Sequence, residues 1–197
     1  MLELFENSPK PGLAIKLNDL ITLFNKTFSS SFNTCLLSGG DEPEYLPADK
    51  HWNQNRIIFR KDYLSSALHE IAHWCIAGVE RRRQRDYGYW YAPDGRNSFQ
   101  QDLFQKVEAK PQALEWIFSQ ACGVQFNVSV DNLNGSNGEM DSTLLVFKRR
   151  VVEQARQYCH RGLNPRASQW VLALQTHLDT VSPFDVSWYS MDRLNNK

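Results

Sequence analysis

Five residues, His69-Glu70-Ile71-Ala72-His73, constrain this chain more than any other feature. In a helix of 3.6 residues per turn, positions i and i+4 stand one above the other, so both imidazoles reach one ion. Glu70 lies about a quarter-turn away, near enough to act as a catalytic group on metal-bound water without being a ligand. The flanking pattern supplies the helix. Leu64, Ala67, Leu68, Ile71 and Cys75 make an apolar face, and Ser66, His69 and His73 share the adjoining one. A lone helix histidine is usually satisfied by water, whereas this spacing beside an apolar face favours a metal. The helix is expected from Asp62 to Ala77, with Gly78 as its stop.

Two histidines need a third protein ligand in most catalytic sites, with a position left open for water or substrate. His51, His160 and His177 are available, but the last two sit on surface-type helices. Glu108, in Val107-Glu108-Ala109-Lys110-Pro111, is the stronger candidate, past one turn and one helix from His73. Glu115 is its competitor. If Glu108 is the ligand, changing Glu115 is expected to do little.

Around this motif the pattern is α/β (α+β) and helix-rich with a small sheet. Leu13, Leu17, Leu20, Ile21, Phe24 and Phe28 mark a first amphipathic helix. Residues 38 to 55 read as a long loop, and Arg56 to Arg60 as a short strand. Gly88-Tyr-Trp-Tyr91 is β-prone and Pro93-Asp94-Gly95 is turn chemistry. Separate helices are expected over 98 to 107 and 111 to 122, the second opened by Pro111 and closed by Gly123. Phe126 to Val130 alternates like a strand. Leu144 to Cys159, capped by Asp141, and Ala167 to Leu178, near Pro165, complete the helices. The last fifteen or so residues are expected to fray. With 197 residues and 42% hydrophobic content, the chain is expected to be one domain over 1–197, its termini before residue 15 and after 180 the least constrained.

Lys+Arg and Asp+Glu balance at 22 each, which gives no reason to expect membrane or direct nucleic-acid binding. Four cysteines, Cys35, Cys75, Cys122 and Cys159, form no Cys-x-x-Cys pair, against a zinc ribbon or a disulfide framework. The acidic start lacks a signal-peptide core, so the expected compartment is the reduced cytoplasm.

Several blocks together resemble the bacterial elongation factor P hydroxylases. They are Asp41-Glu-Pro-Glu-Tyr-Leu-Pro-Ala-Asp49, His69-Glu-Ile-Ala-His-Trp-Cys-Ile-Ala-Gly78, Gly88-Tyr-Trp-Tyr-Ala-Pro-Asp-Gly-Arg96, Val107-Glu-Ala-Lys-Pro-Gln-Ala-Leu114 and Phe126-Asn-Val-Ser-Val-Asp-Asn-Leu133. The resemblance runs from about Phe32 to Leu178. It implies hydroxylation of a lysine of elongation factor P that already carries a β-lysyl group. It also implies a fold similar to a bacterial ribonuclease with a related metal motif, and a site of two histidines and one carboxylate, which maps to His69, His73 and Glu108.

Such a ligand set suits Fe(II) with dioxygen as co-substrate. Inserting one oxygen atom from dioxygen takes two further electrons. The sequence has neither a Gly-x-Gly-x-x-Gly loop nor the His-x-Asp…His…Arg pattern of 2-oxoglutarate enzymes, so it names no reductant. The expected contacts are Arg81, Arg82, Arg83 and Arg85 with an acidic partner surface, and Asp41, Glu42 and Glu44 with the amines of the substrate arm. From the residues alone the main rival is a zinc metallopeptidase of the His-Glu-x-x-His…Glu type, with Glu70 as base. The other is a non-catalytic adaptor folded around a closed structural zinc.

Overall fold

The computed structural model describes residues 14–86, 98–129 and 137–196. Helix α1 (Leu17–Phe32) buries Leu20, Phe24 and Phe28 at four-residue spacing, and stops where Asn33 turns left-handed at φ 48°. A three-stranded sheet follows, β1 (Thr34–Gly40), β2 (Glu44–Leu46) and β3 (Asn55–Arg60). Its order is β1-β3-β2, with β3 parallel to β1 and antiparallel to β2. The expected loop over 38 to 55 is therefore partly sheet. β3 is central, and its backbone groups need a neighbour on each side. Glycine is required rather than loop-like at Gly40, where a Cβ would come within 2.8 Å of the Glu42 carbonyl oxygen and of Ile58.

Helix α2 (Leu64–Ile76) carries the histidine motif. Its back packs into an aromatic cluster in which Trp74 meets Phe28 at 4.9 Å and Trp170 meets Phe24 at 5.4 Å between ring centroids. Its C-terminal carbonyls would be orphans on a free helix. Here Arg166 Nη2 donates to those of Trp74, Cys75 and Ala77 at 3.1, 2.8 and 2.6 Å. The guanidinium also lies 5.1 Å above the Trp74 ring. These contacts hold the end of α2 that follows His73.

Helix α3 (Ser98–Ala121) is continuous, where the sequence suggested two helices divided at Pro111. The proline lacks an N–H for the Val107 carbonyl and costs about 3 kcal/mol in a free helix. Burial outweighs that cost, since Ala109, Ala113, Leu114, Ile117 and Phe118 are all core residues. Helix α4 (Asn137–Arg161) begins earlier than expected, which puts Asp141 inside it rather than at its cap. Helix α5 (Pro165–Leu178) starts on its proline, with the Asn164 side chain accepting from the Ala167 N–H. Strand β4 (Asn127–Val128) is shorter than the expected 126 to 130 and pairs in parallel with β5 (Asn195–Asn196).

The expected fraying of the C-terminus does not occur. Tyr189 is fully buried against Trp116 at 5.0 Å, and Arg156 Nε donates to its carbonyl at 2.8 Å. Three cysteines are buried, Cys159 is half-buried, and all four are free. The result is a helix-rich α+β arrangement on one shared core, and none of its described helices is long and apolar enough to cross a membrane. The aromatic segment 88 to 91 and the turn after it lie outside the described residues.

Candidate metal centre

Helices α2 and α3 cross antiparallel. His69 faces both Glu115 and Glu108, and His73, one turn further along α2, faces Glu108. The two Nε2 atoms stand 3.0 Å apart. Glu108 brings Oε2 to 3.4 Å from His69 Nε2 and Oε1 to 3.4 Å from His73 Nε2. Three donors each about 2.1 Å from one ion lie about 3.0 Å apart at right angles and about 3.4 Å apart at tetrahedral ones. The observed spacing thus suits a divalent metal, and among the described residues His69, His73 and Glu108 are the group able to hold one.

The electrostatics agree. Burial opposes the charge on His69, yet Glu108 and Glu115 push its pKa well above the ordinary value. Burial also opposes ionisation of Glu108, yet His73 and His69 hold its carboxyl well below the usual carboxylate range. Glu108 is therefore kept as an anion facing the two imidazoles, and a divalent cation would compete with their protons for the same place.

Glu115 is not at the cluster. Its Oε2 accepts from the other nitrogen of His69, Nδ1, at 2.9 Å. With the ring neutral, a proton held at Nδ1 leaves the lone pair on Nε2, turned toward His73 and Glu108. The two glutamates thus take two positions on one face of α3, and Glu115, where a change was expected to do little, is in direct contact with the His69 ring.

That face is wider than the motif. Gln105, Glu108, Gln112, Glu115 and Ser119 recur at three-and-four spacing, and each is at most 5% exposed. Gln112 exchanges two hydrogen bonds with the Ser129 backbone, at 2.7 and 3.2 Å. In the sequence this polar stripe is visible only as a helical period of amides and carboxylates around Glu108 and Glu115.

Glu70 takes a different place. It lines a small pocket with Tyr45, Ile57, His73, Trp74 and Asp86. Among the described residues it has no hydrogen-bond or ion-pair partner. Burial raises its pKa, helped by Glu108 and Asp86 against the pull of His73 and His69.

The other expected contact residues are largely engaged with one another. Arg81 pairs with Asp86, and Arg85 with Glu44. Arg82 donates to the Ala77 carbonyl, while Arg83 meets Glu80 at 2.9 Å in an exposed pair. Asp41 and Glu42 are exposed between β1 and β2. His51, His160 and His177 are exposed and away from the cluster.

A family model described as elongation factor P hydroxylase matches residues 23–187. A protein of Haemophilus influenzae named elongation factor P lysine hydroxylase is 48% identical over 177 residues, covering 87% of this chain and 97% of that relative. Neither match favours a peptidase. With the model spanning most of its length and the relative matched almost end to end, this chain belongs to the elongation factor P hydroxylase family.

Proposed function

We propose that this protein is an Fe(II)-dependent oxygenase that hydroxylates a lysine of elongation factor P already extended by a β-lysyl group. Three donors, His69 Nε2, His73 Nε2 and the Glu108 carboxylate, carry the reading, because they converge at metal-ligand spacing in a chain of this family. Ferrous iron, when bound, supplies the activation of dioxygen that oxidises an unactivated C–H bond. The chain's own residues do the rest. Glu115 keeps the His69 proton at Nδ1 and so keeps Nε2 free as a donor. Glu108 contributes the negative charge that offsets the cation.

Glu70, uncommitted and beside His73 in the pocket, is the group that holds or passes a proton at its carboxyl oxygens. The exposed Asp41 and Glu42 attract the amines of the arm, and Arg83 meets the partner's acidic surface. The compartment is the cytoplasm, where translation factors act.

The test is intact-mass analysis of β-lysylated elongation factor P incubated with the protein, ferrous iron, dioxygen and a chemical reductant. A gain of one oxygen per chain, lost on chelation, is expected. An unchanged mass with iron demonstrably bound overturns the reading.

A further inference from the structure

Gln105 lies on the same face of α3 as Glu108, one turn earlier, which puts the two Cβ atoms about 5–6 Å apart. It is 2% exposed, and its Nε2 is buried without a hydrogen-bond partner. The other amide and carboxylate side chains of the stripe are all engaged. Glu108 meets both histidines, Gln112 the Ser129 backbone and Glu115 the His69 ring. Because α2 and α3 run antiparallel, the step from Glu115 to Glu108 to Gln105 continues past His69 and His73 toward the end of α2.

A buried donor without an acceptor destabilises a fold, and such groups in native proteins call for a reason. A ligand that brings the acceptor is one. The arm of the proposed substrate has a single kind of uncharged acceptor. A lysine extended through its side-chain nitrogen carries an amide at the junction, while its free amines are cations that donate and do not accept. The amide oxygen is only a few bonds from the lysine carbons, the scale of one helical turn. A carboxamide N–H one turn from a metal ligand is placed to take that oxygen while a lysine carbon faces the metal.

We propose, on the basis of the hydroxylase reading above, that Gln105 is a substrate-binding residue whose Nε2–H donates to the junction amide of the aminoacylated lysine. It thereby selects the extended lysine over the bare one. A site built around a donor rejects a ligand without the acceptor, because the donor is then left unpaired.

Gln105→Met keeps the length of the side chain and removes the donor, and Gln105→Leu serves as a second variant. With β-lysylated elongation factor P and the iron-loaded protein, KM is expected to rise about 3- to 10-fold, the loss of one neutral hydrogen bond, while kcat is held. The melting temperature should stay level or rise, because a buried unpaired group has been removed, and iron content per chain should match the wild type. A structural role for Gln105 predicts the reverse, a lower melting temperature with KM unchanged. Unchanged KM in either folded variant overturns the assignment while the wild type still hydroxylates. A wild type that leaves the mass of its substrate unchanged overturns the hydroxylase reading, and this assignment with it.

Discussion

His69 Nδ1 donates to Glu115 at 2.9 Å on the side of the ring turned away from Glu108 and His73. The bond settles which nitrogen is free, because a neutral imidazole has one proton and one lone pair. Replacing Glu115 by Leu should therefore weaken metal binding about 10- to 100-fold without removing a ligand, and Glu115→Gln should fall between that and wild type. Isothermal titration with ferrous or cobaltous ion under argon measures this. Equal affinity in both variants would show that the contact does not orient the ring.

Glu108 and Glu70 separate in the same assay. Glu108→Gln keeps the shape but removes the anionic donor, so metal content per chain and oxygen gain by the substrate should both be lost, while the fold survives. Glu70→Gln should keep metal content near wild type and lower turnover, because Glu70 lies in the pocket beyond His73 rather than within the donor cluster. Full iron occupancy in Glu108→Gln would sink its role as ligand.

Metal binding and protons compete at His69. Its pKa in the metal-free fold is raised above the unfolded value of about 6.5, so protonation of the folded form contributes stability that is fully present below that value. That contribution is lost as pH climbs through the raised folded value. A metal requires the unprotonated Nε2, so its own stabilisation grows over the same climb. The rise in melting temperature on adding cobaltous ion should therefore be larger at pH 8.5 than at pH 6. Thermal scans across that range, with and without the ion, give the comparison, and a shift independent of pH would contradict it.

The arginine run should not behave as a unit. Arg82 supports the end of α2 through the Ala77 carbonyl, and Arg81 is tied to Asp86, so reversing either to Glu should lower the melting temperature. Arg83 has 68% of its side chain exposed and only an exposed partner, a pairing worth about 0–1 kcal/mol. Arg83→Glu should leave stability within about 0.5 kcal/mol of wild type. It should also slow association with elongation factor P, most at low ionic strength. Association rates equal to wild type at every salt concentration would remove this surface from the docking face.

Local geometry makes part of this protein legible in its sequence. His69 and His73 share a face because four residues on a helix always return to the same side, and Leu20, Phe24 and Phe28 bury together for the same reason. Pro165 opens α5 because a first helical position needs no N–H. None of these depends on where the rest of the chain goes.

The remainder depended on distant partners. Pro111 is an ordinary stop signal, and α3 runs through it only because both of its halves are buried in the core. Tyr189 lies in a stretch without strong periodicity, and Trp116 decides that it is core. Glu108 and Glu115 look alike in sequence, two carboxylates on one helix face. Their roles diverge because the crossing of α2 over α3 aims one at the Nε2 side of His69 and the other at its Nδ1 side. Helical periodicity sets which residues share a face, but the packing of that face against another helix sets which atom each one meets.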